Sequence, residues 1–433
     1  MLDDALIHLR YAEVLHDRHF LSFDGIHPSY GVSSLLYVGI LAVLRSITQS
    51  PLLPKVLSLV GYAASLAFAY WIFHVNRIAL ALSFALVSPF AVRWLTDGME
   101  TSLAALLSMV FAAFLYKRAS PATIGSLAFV LPLVRVDLTL LVVFGGLLLL
   151  ERRDWLRAAA LCVGSGLSLI FIELAMGHLL PDTAVAKVGD SAGRVFTEAA
   201  REILATASFG IGLIAIWTVS ARLAWNINKK STIIANLPLP TLVLLAAIRG
   251  QQFRAVRYMI WALLFSIVWN LLQSAAAPQI RPIFLYTFAA VMVLAWIIEV
   301  PVVLRIDRGH NQNLKAMERA QLDRLHGEGM AGDVGFIGYF SRAHLCDLNG
   351  LVNGRAAAQM TQQQRADACL AERPAFLFLS AMQIAFFNQV YNLQTETEFF
   401  NCGSVDFTNV SGSDRHWLLV RRTDYPEGCP AHL

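Results

Sequence analysis

Apolar residues dominate the middle of this chain, from residue 32 to residue 304, and polar residues dominate both ends. A membrane-spanning helix needs roughly 20 consecutive, mostly apolar residues. Runs of about that length or shorter repeat through the middle, separated by polar turns, at 32–48, 52–73, 78–92, 102–116, 121–134, 137–150, 158–176, 205–222, 233–248, 258–273 and 280–304. The pattern therefore predicts an α-helical polytopic membrane domain over residues 32–304.

Charged residues interrupt this region at two kinds of position. Arg135 and Asp137 lie between neighbouring apolar runs, where charge is unfavourable unless it meets water, a partner or an opposite charge. A structural ion pair at a helix break and a functional role both account for this pair. Basic residues flank the turns between other runs, at Arg45 and Lys55, at Lys117-Arg118 and at Arg152-Arg153, and they indicate cytoplasmic turns.

The first 31 residues precede the first apolar run and are rich in ionisable side chains. Their apolar positions recur at helical spacing, at Leu2, Ala5, Leu6, Leu9 and Ala12. This spacing predicts an amphipathic helix at a membrane surface, within a first extracytoplasmic loop over 1–31. Asp3 and Asp4 either cap that helix or carry catalysis. The polar stretch 177–204 is predicted to form an outer loop on the same side.

Residues 305–433 have the mixed polarity of a water-soluble domain. The run Val334 to Phe340, flanked by glycines, predicts a strand, and a second strand is predicted to lead to Asp347. Phe376 to Leu379 and Trp417 to Val420 are further strand candidates. The tail is therefore predicted to be a small α/β or α+β domain.

Four of the cysteines lie in this tail, at Cys346, Cys369, Cys402 and Cys429. They predict two disulfides, with three pairings open. No pair has the C-x-x-C spacing that zinc sites use, so zinc binding by these cysteines is disfavoured. Disulfides place the tail in an oxidising, extracytoplasmic compartment.

Composition agrees with this division and excludes several classes. Apolar residues make up 57% of the chain and charged residues only 15%, which excludes an ordinary soluble protein. The net charge of +4 comes with no basic stripe of interleaved aromatic residues, so nucleic acid is not an expected partner. Signatures of soluble enzymes, such as G-x-S-x-G, the P-loop and H-E-x-x-H, are absent from the sequence.

The remaining candidates for chemistry are ionisable residues on one predicted face of the membrane, namely Asp3, Asp4, His8, Arg10, His27, Asp97, Glu100, Arg135, Asp137, Asp182 and Lys187. Carboxylates and cations at a membrane surface suit a reaction on a phosphorylated lipid. A cation there neutralises a phosphate leaving group, and a carboxylate accepts a proton from an incoming hydroxyl.

The order of several short motifs carries a resemblance. They are Asp3-Asp4-Ala5 with Arg10-Tyr11-Ala12, Gly98-Met99-Glu100-Thr101, Arg135 with Asp137, Leu180-Pro181-Asp182-Thr183 with Ala186-Lys187, and Asp333 to Tyr339 leading into Asp347 to Asn353. In this order they resemble the GT-C superfamily of polyprenyl-phosphate-dependent glycosyltransferases, and within it the actinobacterial terminal arabinofuranosyltransferases. The resemblance implies an inverting transfer of a sugar from a polyprenyl-phosphate donor to a hydroxyl of a cell-envelope glycan or lipid. It places the reaction on the outer face of the bacterial inner membrane.

The resemblance also implies roles for the candidate residues. An aspartate of the first outer loop is the general base, which is Asp4 or Asp3, with Asp4 marginally preferred. Lys187 and Arg135 are the implied donor-phosphate partners. The other candidates are implied to bind substrate, namely His8, Arg10, His27, Asp97, Glu100, Asp137 and Asp182. No dedicated metal cluster or other cofactor site is recognised, although a divalent cation shared by Asp3, Asp4 and the donor phosphate is compatible with these residues.

The sequence departs from the pattern of that group in one main respect. A transmembrane helix is expected before the Asp3-Asp4 pair and none precedes it here, so either a helix is missing upstream or the first span inserts in reverse. Two other functions stay open. Intramembrane charges also mark the pathway of a transporter or lipid flippase, and a non-catalytic envelope scaffold would carry a similar outer domain.

Overall fold

The structure, a computed structural model, describes residues 3–73, 86–186, 211–242, 256–274, 282–409 and 412–433. These residues form a mostly helical region followed by a small domain built on a five-stranded sheet. The predicted division into an α-helical region and a C-terminal α/β domain is thereby confirmed. Elements are numbered below along the described residues.

The helical region contains helices of very different lengths. They are α1 Asp3–Arg18, α2 Leu35–Arg45, α3 Leu53–Phe73, α4 Pro89–Leu95, α5 Thr101–Tyr116, α6 Pro121–Val134, α7 Thr139–Glu151, α8 Trp155–Met176, α9 Asp182–Ala186, α10 Ile211–Trp225, α11 Lys229–Asn236, α12 Val256–Ser274 and α13 Pro282–Arg319. Among the described residues, two stretches are long and apolar enough to cross a membrane, Leu53–Ile72 and Trp155–Met176.

The helix boundaries follow local chemistry. Helix α6 begins at Pro121 behind the side-chain cap of Ser120, and it ends at Arg135, whose backbone is extended. A single 3₁₀ turn, Val136–Leu138, then leads into α7. The predicted break between these two apolar runs is therefore present. Helix α8 starts behind the cap of Asp154 and ends at Gly177, whose positive φ of 74° favours glycine.

Helices α6 and α8 pack side by side at small residues. A Cβ on Gly164 would overlap the backbone carbonyl of Gly125, so neither position has room for a larger side chain. Helix α12 lies at the centre of the helical region, where residues 259–274 are all buried. Its largest side chains, Trp261, Phe265 and Trp269, belong to the main apolar core.

Helix α2 is not the membrane span that the run 32–48 predicts. Its 11 residues extend about 16 Å, roughly half the hydrocarbon thickness of a bilayer. Its last residue, Arg45, pairs with Glu13 of α1 at 3.0 Å. Because Glu13 also pairs with Arg342 of the sheet domain, Arg45 lies on the same side of the helical region as that domain, whereas the sequence predicted opposite sides for the two.

Helix α1 also differs from the predicted surface helix. All of its residues from Ala5 to Val14 are buried, so over this length it has no solvent-exposed or membrane-exposed face. It packs between α2 and the sheet domain, in an apolar cluster that joins Leu6 and Tyr11 to Phe336. The predicted first loop and the predicted soluble domain therefore share one core.

The small domain has elements β1 Gly329–Ala331, α14 Val334–Ser341, β2 Leu345–Asp347, α15 Gly354–Gln359, α16 Gln362–Ala371, β3 Phe376–Ser380, α17 Ala381–Val390, α18 Thr395–Glu398, β4 Phe399–Asn409 and β5 Gly412–Arg421. The strand order is β2-β1-β3-β5-β4. Strand β1 pairs in parallel with β2 and β3, whereas β5 pairs antiparallel with β3 and β4. The strands predicted at 376–379, at 417–420 and before Asp347 are confirmed.

The run Val334 to Phe340 is a helix, α14, and the prediction of a strand there is wrong. Both carboxylate oxygens of Asp3 accept hydrogen bonds from the first turn of this helix, from Gly335 N at 2.9 Å and from Phe336 N at 2.6 Å. A Cβ on Gly335 would overlap Asp3. The cap comes from the far end of the chain, which local pattern does not reveal.

The two predicted disulfides are present, and their pairing is Cys346–Cys369 and Cys402–Cys429. Helix α13 runs without interruption from Pro282 to Arg319, through the predicted domain boundary at 304/305. Near its C-terminal end the Asn313 side chain donates to the Asp406 carbonyl of β4 at 2.8 Å. The helical region is thus tied to the sheet by a continuous helix.

Candidate functional site

The start of α1 carries three of the predicted site residues, Asp3, Asp4 and His8. The sequence left open that Asp3 caps its own helix, α1. In the structure it caps α14 instead. Its pKa is raised because the surrounding protein displaces water and because Asp333 and Asp4 add negative charge. One turn further on, His8 Nδ1 lies 2.9 Å from the Asp4 carbonyl, which fixes the imidazole beside Asp4.

A buried polar group, here called the Glu100 cluster, lies next to this end of α1. It consists of His8, Ser33, Glu100, Arg135 and Asp137. The Ser33 hydroxyl donates to Glu100 Oε1 at 2.9 Å, and His8 Nε2 lies 3.7 Å from Glu100 Oε2. Arg135 NH1 donates to Glu100 at 2.6 Å, while its Nε and NH2 both bind Asp137 at 2.9 Å. Segments that are distant in sequence therefore meet here.

The side chains of this cluster differ in how much of their surface is exposed. The Glu100 side chain is fully buried, the Arg135 side chain is 5% exposed and the Asp137 side chain is 27% exposed. One guanidinium is shared between two carboxylates in surroundings that screen charge poorly. Asp137 is thus the more accessible of the two carboxylates, and it occupies a bidentate arginine fork of the kind that also binds phosphate.

Two other residues, Asp97 and Tyr37, hold the turn that precedes Glu100. Asp97, a predicted site residue, accepts at its Oδ1 from Met99 N at 2.9 Å. The Tyr37 hydroxyl donates to the Gly98 carbonyl of the same turn at 2.9 Å. This turn is therefore fixed by contacts that set the position of Glu100, and Asp97 acts on the cluster through the backbone.

Asp182 connects the outer loop to the segment that follows α1. It is fully buried, and its Oδ2 accepts from Tyr30 N at 3.0 Å. His178 Nε2 lies 3.0 Å from its Oδ1, and Arg355 of the sheet domain lies 4.0 Å from the same oxygen. Lys187, the second predicted phosphate partner, lies outside the described residues.

Arg10 belongs to a different group, the Glu13 cluster, which consists of Glu13, Arg10, Arg45 and Arg342. Three guanidinium groups contact the one carboxylate, at 2.8 Å from Arg10, 3.0 Å from Arg45 and 3.2 Å from Arg342. Arg10 Nε also donates to the Phe23 carbonyl at 3.0 Å. This cluster joins α1 and α2 to the residue that follows α14.

His27 is exposed and contacts Asp24 and His344 rather than the Glu100 cluster. His27 and Arg10 therefore contact other residues than those with which the sequence pattern grouped them. Ser33, Glu13, Asp24 and His344 join these groups without having been predicted. Their only sequence signal is that Glu13 and Asp24 lie in the same polar opening segment, which Ser33 closely follows.

The opposite end of the helical region is basic. Arg152 NH1 donates to the Tyr116 carbonyl at 3.2 Å, and Arg157 Nε donates to the Ala119 carbonyl at 2.6 Å. Tyr116 ends α5, whose first residue follows Glu100, and 16 helical residues span about 24 Å. The Glu100 cluster and the basic end are thus separated by the length of an apolar helix.

The Glu100 cluster with Asp4 offers the groups that acid–base and phosphate chemistry need. It holds a guanidinium, carboxylates and an imidazole within a few ångströms, at the end of apolar helices. Searches against protein-family models, curated proteins and solved structures find no match for the chain. The resemblance to the GT-C superfamily stays a prediction from the motifs.

Proposed function

We propose that the chain is a multi-span membrane glycosyltransferase that moves a sugar, with inversion, from a polyprenyl-phosphate donor to a hydroxyl of a cell-envelope glycan or lipid. The observation that carries the proposal is the meeting of His8 with Glu100, Arg135 and Asp137 at one end of the apolar helices, where His8 also contacts the backbone carbonyl of Asp4. Carboxylates and a guanidinium in one buried site match the needs of a transfer from a phosphate leaving group.

The exposed side chains of the long helices support a membrane location. Helix α3 exposes Val60 and Trp71, and α8 exposes Leu167 and Leu174, each by more than half of its surface. Contiguous apolar surface of this extent is unfavourable in water and favourable against lipid. The helices that are too short to cross alone pack around the buried α12.

The charges at the two ends support an orientation. Basic residues gather at the turns after α5 and α7, which favours the cytoplasmic side for that end. The disulfide-bonded domain packs on the other end, and disulfides persist in oxidising compartments. The proposal therefore puts the Glu100 cluster at the outer face of the bacterial inner membrane.

In the proposed reaction Asp4 takes the proton of the acceptor hydroxyl as that oxygen attacks the anomeric carbon. The bond to the phosphate oxygen breaks on the opposite face of the sugar, and the polyprenyl phosphate leaves with the bonding electrons. Arg135 neutralises the departing phosphate through the fork it now presents to Asp137. Asp3 serves as the cap that holds α14 against α1, and His8 positions the backbone of Asp4.

The test compares Asp4→Asn, Asp3→Asn and Asp17→Asn in membranes supplied with labelled polyprenyl-phosphate sugar. Asp17 is an exposed residue of the same helix and serves as the matched control. We expect Asp4→Asn to abolish transfer while donor binding is kept, and Asp17→Asn to transfer as the unaltered chain does. Full transfer by both Asp4→Asn and Asp3→Asn would overturn the proposal.

The same preparation separates the competing functions. Reconstituted vesicles report whether the lipid-linked sugar is consumed or crosses the bilayer intact. Consumption with a new glycosidic product supports the transferase. Movement of intact donor without consumption would support a flippase, and no effect of any first-helix variant would support a scaffold.

A further inference from the structure

A second group of ionisable side chains lies away from the Glu100 cluster. Asp24 and His27 belong to the segment between α1 and α2, and His344 immediately precedes β2. One ligand atom from each lies within 4.8 Å of the other two. His344 comes from the sheet domain, far along the chain from Asp24 and His27, so the fold itself brings the three together.

The Asp24 carboxylate lies close to a ring nitrogen of each histidine. Its Oδ1 accepts from Ile26 N at 2.7 Å and from His27 N at 2.8 Å. Its Oδ2 lies 2.8 Å from His27 Nδ1 and 3.3 Å from His344 Nε2. Ligand atoms about 2.0–2.1 Å from a tetrahedral metal are about 3.4 Å apart, so small movements would place these three atoms around one ion.

The His344 ring faces a second carboxylate, that of Glu328, on its other side. The His344 carbonyl accepts from Gly329 N at 2.9 Å, which fixes its backbone in the sheet. Its Nδ1 lies 3.8 Å from Glu328 Oε1. Histidines that bind metals through one nitrogen usually direct the other to a carboxylate or carbonyl, which fixes the ring and raises its basicity. Glu328 occupies that position relative to His344.

The group combines one carboxylate with two imidazoles, and one of its members is open to solvent. The Asp24 side chain is 10% exposed, whereas that of His27 is 73% exposed, so a metal would have an open approach and room for water.

We propose that Asp24, His27 and His344 bind a divalent transition metal of the zinc class, with water completing its coordination. Two imidazoles and one carboxylate suit zinc and its neighbours, whereas magnesium and calcium prefer oxygen ligands alone. The metal would tie the segment between α1 and α2 to the sheet domain. That segment continues into Ser33 of the Glu100 cluster, but metal binding is independent of the proposed transferase activity.

The test uses the full chain in detergent, stripped with a chelator, dialysed and titrated with Zn²⁺. We expect one bound zinc per chain and a higher unfolding midpoint in its presence. His27→Gln and His344→Gln should each weaken zinc binding by about 100-fold or more, and Glu328→Gln by about 10-fold or more. His16→Gln, which changes an exposed histidine of α1, should bind zinc as the unaltered chain does.

Because His27 is exposed, its substitution can remove a metal ligand without destabilising the fold. The zinc-free unfolding midpoint of His27→Gln should equal that of the unaltered chain. Equal zinc uptake by the unaltered chain, His27→Gln and His344→Gln would overturn the proposal, since zinc would then bind elsewhere. Equal stabilisation by Mg²⁺ and Zn²⁺ would also overturn it, because imidazole ligands discriminate between these ions.

Discussion

The two ends of the helical region both carry charged residues but use them differently. At the basic end Arg152 and Arg157 donate to the carbonyls of Tyr116 and Ala119, at the end of α5 and in the turn after it, as basic side chains near helix C-termini commonly do. Arg157 also pairs with Asp154, which caps its own helix. At the other end Arg135 binds the carboxylates of Glu100 and Asp137. The Glu100 carboxylate is buried and comes from the residue that precedes α5. Charge in the sequence therefore marks helix termination at one end and a candidate site at the other.

The largest expected difference between the two ends is their accessibility to a reagent that cannot cross the membrane. In a Cys162→Ser background, which removes the one free cysteine that the described residues contain, Asp17→Cys and Lys117→Cys place single thiols at opposite ends. The proposed orientation predicts that a membrane-impermeant maleimide labels Asp17→Cys on intact cells. Lys117→Cys should be labelled only after permeabilisation, and the reverse result would refute the orientation.

The next largest effect concerns the stability of the two ends. Arg135→Ala leaves the buried carboxylate of Glu100 without its closest cation, and breaking a buried ion pair costs about 3–5 kcal/mol. Arg157→Ala removes a more exposed arginine and should cost less than about 1 kcal/mol. Unfolding midpoints in detergent measure both. Equal losses would mean that Arg135 is no more than a helix-end residue.

A pH dependence should also distinguish the ends. Burial raises the pKa of Asp347 to about 6, against the hydrogen bonds from Asn349, Leu351 and Val352 amides that favour its ionised form. The folded state then holds this proton more tightly than the unfolded state, whose Asp pKa is about 4. The stability contributed by this group should be complete below pH 4 and fall by up to about 3 kcal/mol as the pH rises through 6.

Denaturant titrations between pH 4 and pH 7 measure this slope. Asp347→Asn, which cannot ionise, should remove the share of the slope that Asp347 contributes, while Asp3, whose pKa is also raised, keeps its own share. A slope that is unchanged in Asp347→Asn would assign the titration to another group.

The smallest predicted effect concerns the contact between α1 and α14. Asp3→Ala removes both acceptors of the first turn of α14, and loss of such a cap costs about 1–2 kcal/mol. Asp17→Ala, in the exposed last turns of α1, is the control and should change stability by less than about 0.5 kcal/mol. If Asp3→Ala is as stable as Asp17→Ala, the contact is not a structural cap.

Much of the architecture was predictable where the signal is local. The break at Arg135 and Asp137 follows from two opposite charges between apolar runs, and the structure has an ion pair there. Short apolar runs of β-favouring residues likewise predicted β3 and β5. The candidate site was only partly predictable, because Glu100 and Arg135 meet but Arg10 and His27 do not join them.

The errors share one physical cause. The run 334–340 has the composition of a strand, yet it is helical because Asp3 caps its first turn and Gly335 permits close approach. The spacing in α1 suggested one buried face, yet both faces are buried because α2 and the sheet domain enclose it. Local pattern gives the hydrophobicity of a segment but not the surface against which it packs.

Residue content alone predicts the apolar helical region and the cysteine-bearing domain, because hydrophobicity and cysteine content can be read from each segment separately. The disulfide pairing, the use of Asp3 as a cap and the partners of Glu100 are visible only in the folded chain. The Asp24, His27 and His344 group likewise exists only in the folded chain. Each of these depends on contacts between distant segments, which are fixed when the apolar surfaces of α1, α2 and the sheet domain are buried together.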